Sequence, residues 1–425
     1  MTIPTFLQIH TLTSYPASLL NRDDVGFAKR IPFGSVPRVR VSSQCLKRHW
    51  RQHEGQHALS RIDLGDGPVG MSVRSRVTFQ RLIRDRLVEG GIDSELATLV
   101  TDEVIKVVLG ESAKAKQKAA KESKEAETKA EGDACKTSQI TVLGRPEVDY
   151  LFAEALALAS AIAGGKGKKD LSKVVPDAAK KHFDAERKKN LRGLQLGAGL
   201  DAALFGRMVT SDILARTDAA VHVAHAFTVH EEQTESDFFS AVDDLDGERD
   251  DAKMGSGHIG SAELTSGLFY GYVAVDLPLL VSNLTGSDRR AWIEHRGPLA
   301  GEVLRRILHL IATVSPGAKL GSTAPHAYAH FVMVEKTAEQ PRTLANAFLE
   351  PVRLKKDVDV VRSTYKKIGE HIAELDGMFA SEVERRFAAI GGAEAIAALA
   401  PSLGDGQKMS LPELAKWAAG AALGG

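Results

Sequence analysis

The sequence predicts an α+β protein in which a strand-built core is interrupted by a helical insertion. Three observations carry that expectation. Strand chemistry stands early, at Thr5–Leu12 and in "RVRVS". From about Ser60 to Gly197 the texture becomes helical and rich in Lys. After Asp218 strands return, in "AVHVAHAFTVH" and "LFYGYVAVDL", with their β-branched and aromatic residues.

Taken in order, Thr5 to Leu12 reads as a strand of mixed apolar and polar positions, and Tyr15-Pro16 opens a loop through "NRDDVGFAKRIPFGSVP". In "RVRVS" Arg38 and Arg40 alternate with Val39 and Val41, so both arginines point to one side of a strand. "VSSQCLKRHWR" follows, with Ser42 and Ser43 as helix N-caps. Gln44, Lys47, Arg48 and Arg51 recur at helical spacing and share one face, opposite Leu46 and Trp50. In the insertion, "VTFQRLIRDRLVEGG" and "YLFAEALALASAIAGG" read as helices. The Lys/Glu/Ala tract between them has almost nothing to bury, as a solvated helix or a disordered loop would. "GGKGKKDLSKVVPDAAKKHFDAERKKNLRGL" is again rich in Lys.

Farther on, the acidic, Gly-punctuated stretch after His230 contains Phe238-Phe239 and suggests a projecting hairpin. Val303, Ile307, Leu310, Ile311 and Val314 mark an apolar helix stripe, and "AHFVMVE" a buried strand. The last helix starts at a capping box, Ser410 and Glu413, with Pro412 in its first turn.

A chain of 425 residues has room for two or three domains. Its 55 Lys and Arg balance 55 Asp and Glu, so any affinity for nucleic acid must come from local charge. Two cysteines, Cys45 and Cys135, support neither a disulfide framework nor a zinc site. No signal-peptide pattern opens the sequence and no run of roughly 18 apolar residues occurs. A soluble, cytoplasmic protein without membrane contact is expected.

Local charge is present. From Lys29 to His53 the cations are Lys29, Arg30, Arg38, Arg40, Lys47, Arg48 and Arg51, with no Asp or Glu among them. An isolated basic helix is more often a solvated face. Here a loop, a strand and a helix in succession turn cations outward, and the helix start adds unpaired N–H groups. That arrangement favours a polyanion, with single-stranded RNA or DNA the best fit.

Other constellations are weaker. Asp23 and Asp24 beside Arg22 suit a metal-dependent nuclease, but no third ligand is evident, and an Asx turn or a salt bridge to Arg22 is the stronger reading. His222, His225 and His230 invite zinc, yet His222 and His225 face opposite sides of a strand. "GGKGKK" and "GAKLGS" both lack the full Walker A pattern. No G-x-S-x-G or RNP1-type motif occurs.

The segments "SLLNRDD", "AKRIPFG", "RVRVSSQCLKRHWR", "DAALFGRMVTSD", "VHVAHAFTVHEEQTESDFFSAVDDL", "GSGHIGSAELTSGLFYGY", "VSPGAK" and "LANAF" together resemble the backbone subunit of the type I-E CRISPR Cascade complex, the CasC family of the RAMP superfamily. The resemblance runs in order from residue 6 to the final helix and is weakest across about 53–196. It implies an RRM-like (ferredoxin-like) palm, an inserted helical fingers domain and a thumb β-hairpin. The expected division is palm 1–55, fingers 56–197, palm again 198–345 with the thumb at about 229–262, and a C-terminal helical part 346–425.

The resemblance also implies a function. Copies of such a subunit stack along a CRISPR RNA (crRNA), grip its backbone, and leave sequence reading to base pairing with target DNA. Partners would be the crRNA, target DNA, other copies of the chain, other Cascade subunits and a recruited nuclease-helicase. No catalytic residue, metal or cofactor is implied. Arg22, Lys29, Ser42, Gln44, Lys47, Arg48 and Arg51 match positions that hold guide phosphates, beside Arg38, Arg40 and Ser43 of the same basic stretch. Met208, with Thr210 and Ser211, matches a palm segment packing on the guide. Phe238, Phe239 and Ser240 match the part of the thumb that displaces a base. Lys166, Lys168, Lys169, Lys173, Lys180 and Lys181 would meet target DNA. The alternative is an RNA-cleaving backbone subunit of the type III kind, with Asp23 or Asp24 as its palm-loop aspartate.

Overall fold

The structure, a computed structural model, describes residues 3–65, 67–110, 134–164, 170–208, 213–241, 258–400 and 402–423. Most of the Lys/Glu/Ala tract and the tip of the acidic hairpin lie outside the described residues. In chain order the strands are β1 Phe6–Ser18, β2 Arg30–Phe33, β3 Val36–Val41, β4 Ser72–Ser75, β5 Thr141–Gly144, β6 Val221–Val223, β7 Ala226–Thr228, β8 Gln233–Ala241, β9 His258–Asp276, β10 Phe331–Thr337 and β11 Glu384–Ala389. The principal helices are α1 Ser43–Gln52, α2 Ser94–Leu109, α3 Arg145–Ala163, α4 Leu171–His182, α5 Pro298–Thr313, α6 Val360–Phe379 and α7 Leu411–Ala419.

The chain divides into two compact units. The first comprises Met1–Arg61, Val221–Leu277 and Arg296–Gly425. Its centre is a nine-stranded sheet in the order β11-β10-β1-β9-β7-β3-β2, with β6 and β8 also paired to β9. Every strand pair is antiparallel. β1 runs to Ser18, past the expected end at Leu12, because β9 pairs with it almost throughout (Phe6 opposite Asp276, Tyr15 opposite Gly267).

The mixed character of β1 has a structural cause. Leu7, Ile9 and Leu12 are fully buried, and so are Gln8 and His10. His10 Nε2 lies 3.2 Å from Glu335 Oε2, and Gln8 Oε1 accepts from the Tyr272 hydroxyl at 2.8 Å. Arg342 and Arg385 complete the charge balance on Glu335, so the carboxylate is buried but paired.

One apolar cluster gathers Leu12, Tyr270, Phe331, Phe348, Phe387 and, from α6, Tyr365 and Ile368. A second collects Tyr15, Leu19, Val39, Val41 and Phe269, with Leu46 of α1 against it. Burying a side chain such as Leu12 or Phe331 stabilises by roughly 1.5–3 kcal/mol. In α5 the buried stripe runs through Val303, Leu304, Ile307 and Leu308, while Ile311 and Val314 are only half-buried. Ser410 and Glu413 form the capping box of α7.

The second unit comprises Ile62–Ala220 and Pro278–His295. Helices α2, α3 and α4 bury Val100, Val104, Leu151, Ala155, Leu158 and Val175 in a core of their own, beside the two-stranded ribbon β4–β5. Met208 falls within this unit.

Candidate nucleic-acid interface

The helix α1 is placed by its caps and one apolar anchor. Ser42 Oγ accepts from the Cys45 amide at 3.3 Å, and the Ser42 amide donates to Asn21 Oδ1 at 2.9 Å. Trp50 is buried, with Leu46 partly buried beside it. Gln44 and Arg48 are then exposed, and Ser43, Lys47 and Arg51 half-buried. Ser42 itself is buried, and its side chain serves the helix start. No acidic residue occupies the first turn of this helix.

Electrostatics show which cations converge. Burial pushes the Cys45 thiol up, while Arg48 and Lys29 pull it back. Burial holds the His225 imidazole down, and Arg40 and Lys29 lower it further. Lys29 thus lies near α1, and its carbonyl accepts from the Arg40 amide of β3 at 2.8 Å. Arg40 donates to the Arg30 carbonyl at 3.2 Å and lies 2.9 Å from His225 Nδ1, which as a neutral imidazole can accept its hydrogen bond. Burial also pushes the Lys47 ammonium down.

Arg38 requires a correction. It shares a strand side with Arg40 but is fully buried. Its guanidinium donates to the carbonyls of Phe33 at 3.2 Å, Thr228 at 3.0 Å and Phe348 at 2.9 Å. Alternation fixed the side of the strand but not what covers it. Arg38 is a structural cation, not part of an accessible surface.

The loop before β2 is closed by its own hydrogen bonds. Asp23 Oδ1 accepts from the amides of Val25 (3.1 Å), Gly26 (2.8 Å) and Phe27 (2.9 Å). The Asp23 amide donates to the Phe27 carbonyl at 2.8 Å. This is the Asx arrangement, and it employs one oxygen of the carboxylate considered for catalysis. Arg22 and Asp24 are exposed at its edge.

Strands β8 and β9 continue beyond the sheet as a two-stranded ribbon, from Gln233 opposite Ser266 to Ala241 opposite His258. Phe238 and Phe239 stand on opposite faces, 67% and 42% exposed. Ser240 pairs with Ile259. The Phe239 ring lies over Gly260, where a Cβ would come within 2.5 Å of it. Lys319 Nζ is 5.6 Å from the centre of that ring. At the ribbon's root Arg30 pairs with Glu232 and Glu263, and the Ala28 amide donates to Glu263 Oε2 at 2.8 Å. Part of the acidic hairpin thus neutralises the chain's own basic stretch. The roles of Lys319 and Arg30 were missed from sequence, since their partners lie far along the chain.

In the second unit Met208 is 97% exposed. Its neighbour Arg207 is buried against Glu147, donating to Oε1 at 2.8 Å, and reaches the Ala215 carbonyl at 2.7 Å. Thr210 and Ser211 lie outside the described residues, as do Lys166, Lys168 and Lys169. Lys173, Lys180 and Lys181 are exposed on α4, whose Val175 and Ala179 face the core.

The three histidines do not converge. His230 is buried, with Nδ1 donating to the Glu231 carbonyl at 2.6 Å and Nε2 accepting from the Leu268 amide at 3.1 Å. His225 accepts from Arg40, and His222 is paired opposite Ala274 in the β6–β9 register. Among the described residues no group of three or more His, Cys, Asp or Glu is placed to hold a metal ion. Among them also, no helix is long and apolar enough to cross a membrane.

A solved chain titled "CRISPR RNA-guided surveillance complex, pre-nicking" is similar at 28% identity with a TM-score of 0.73, over 99% of this chain and all of that one. A second, "CRISPR RNA-guided surveillance complex", shares the fold at 24% identity and a TM-score of 0.64, over 98% of this chain and 100% of that one. No curated protein matches the sequence. The family model described as "CT1975-like protein" matches residues 7–417, and the chain belongs to this family of Cascade-type CRISPR proteins.

Proposed function

We propose that this chain is the multicopy, non-catalytic backbone subunit of a type I-E CRISPR surveillance complex, working in the cytoplasm. It holds a crRNA by its phosphates and presents the bases to target DNA. Several copies would lie side by side on one guide, with other Cascade subunits at its ends and a nuclease-helicase recruited by the whole. The first unit is read as the palm, the β8–β9 ribbon as the thumb and the second unit as the fingers, with α4 toward target DNA.

One observation carries this reading. Lys29 is common to two neighbourhoods, acting with Arg48 on Cys45 and with Arg40 on His225, its carbonyl accepting from the Arg40 amide at 2.8 Å, and α1 continues their charge through Lys47 and Arg51. A groove of that kind tracks a backbone without reading bases. The likeness to chains from RNA-guided surveillance complexes supports crRNA as the backbone in question. Co-expression with a CRISPR RNA and the partner subunits, followed by native mass spectrometry, tests it. Several copies on one RNA are expected; an RNA-free monomer from a complete, well-expressed set would overturn the proposal.

A further inference from the structure

Phe27 is 54% exposed and Val25 74%, on a loop that also carries the charged Arg22, Asp23 and Asp24. Exposed apolar side chains on mobile loops are common and mean little. This loop is not of that kind. The Asp23 carboxylate fixes three successive amides, the Asp23 amide closes on the Phe27 carbonyl, and Gly26 takes φ +103° to complete the turn. Arg22 and Ala28 bridge across its neck, and the Ala28 amide is fixed by Glu263. A backbone fixed this way has little further freedom to lose when the side chain it carries receives a ligand.

The surroundings indicate the ligand. Phe27 lies between Arg22 and Lys29 in sequence, an exposed cation on one side and a half-buried one on the other. Interleaved cations and aromatics are what a single-stranded nucleic acid uses, its phosphates on the cations and its bases on the rings. The ribbon adds a second ring. Glu263, which holds Ala28, stands opposite Ser236, and the next pair on that ribbon face is Phe238 opposite Ser261. One such step is about 7 Å along a strand. Phe238 therefore projects from the ribbon face that meets the Phe27 loop.

We infer that Phe27 is a base-stacking residue, receiving one nucleobase of the bound single-stranded RNA on the side of the ribbon that carries Phe238. The inference rests on the RNA-binding reading above and adds to it a residue assigned there no role. The apolar area offered is two side chains flanked by charge, which suits one base with its neighbouring phosphates on the cations better than a protein helix.

The test titrates a fluorescein-labelled single-stranded RNA with the full chain at several salt concentrations, for the parent, Phe27→Ala, Phe27→Tyr and Lys47→Ala. Phe27→Ala should weaken binding about 5- to 100-fold at every salt concentration, leaving the salt slope unchanged. Phe27→Tyr, which keeps the π-face, should stay within about threefold of the parent. Lys47→Ala should instead flatten the slope. Parental affinity in Phe27→Ala overturns the inference while leaving RNA binding intact. So does a loss in Phe27→Ala of RNA-free self-association with RNA affinity retained, which would assign Phe27 to a second copy. A parent that binds no RNA removes the underlying reading itself, and the inference with it. Circular dichroism melting of Phe27→Ala should match the parent, because the ring is largely outside the core.

Discussion

Arg38 Nη2 donates to the carbonyl of Phe348 at 2.9 Å, joining two residues 310 positions apart. Phe348 ends the 3-10 turn Ala345–Phe348, so "RVRVS" and "LANAF" meet around a single guanidinium. Arg38→Met fills much of the volume but leaves three carbonyls without their donor. A loss of about 3 kcal/mol is expected, the order for orphaned buried acceptors. Urea denaturation measures it. A stability unchanged by the substitution, with the RNA salt slope altered, would return Arg38 to the binding surface.

Lys47 should behave in the opposite way. If it meets a phosphate, Lys47→Ala lowers the slope of log K against log[salt] by roughly 0.7 and costs little stability. Arg48→Ala, on the exposed side of the same helix, should do the same. An identical slope in parent and variants removes α1 from the RNA contact.

How much of this was legible in the sequence depends on how local each signal is. The Ser42 cap, the Trp50 anchor and the Ser410–Glu413 box each involve residues within one helix, and periodicity or capping chemistry reveals them. Arg38 and Arg40 have the same strand parity, yet one is fully buried and the other half-exposed. That difference is made by Thr228 and Phe348, and no local pattern contains them. Arg30 is the same lesson reversed. It counts as a free cation until Glu232 and Glu263 fold back on it. The polar residues of β1 leave its pattern mixed in the sequence because their partners, Glu335 and Tyr272, arrive from two other strands.

Asp23 offers a direct trial of the RNA-cleaving alternative. Asp23→Asn keeps a side-chain oxygen for the three amides, whereas Asp23→Ala removes it. In the scaffold reading Asp23→Asn binds RNA like the parent and Asp23→Ala more weakly, as the Arg22–Lys29 loop loosens. Incubation of parent and variants with Mg²⁺ and target RNA supplies the contrast. Cleavage by the parent that disappears in Asp23→Asn would establish a catalytic carboxylate instead.

The two thumb phenylalanines should separate. Phe238 is the more exposed, and Phe238→Ala should cost about 1–3 kcal/mol of RNA affinity if the ring stacks on a base. Phe239 leans on Gly260 and under Lys319, so Phe239→Ala should loosen the ribbon as well. Hydrogen exchange at the amides of Gln233–Ala241 reads the second effect. Equal exchange in both variants would place the two rings in one role.

Acid stability follows from two buried groups of the first unit. His309 stacks on His57 with ring centres 4.0 Å apart and planes 6° from parallel. Burial, with His57 and Arg305 beside it, holds the His309 imidazole to about 4, against an ordinary 6.5. The unfolded chain takes this proton first, so it binds more protons than the folded chain between those values. Stability must then fall as pH drops from about 6.5 to about 4. Glu335 acts lower. Burial pushes its carboxyl up, but His10, Arg342 and Arg385 more than offset that and hold it at about 2. Its contribution is complete above the ordinary 4.5 and is lost as pH falls from there toward about 2. Urea midpoints measured across both windows should therefore decline in two stages. His309→Asn should make the upper stage shallower and leave the lower one, and Glu335→Gln should reduce the lower one, which Glu302, also held at about 2, shares. If His309→Asn leaves the upper slope as steep as in the parent, the stacked pair does not hold off the proton, and another group carries the acid sensitivity.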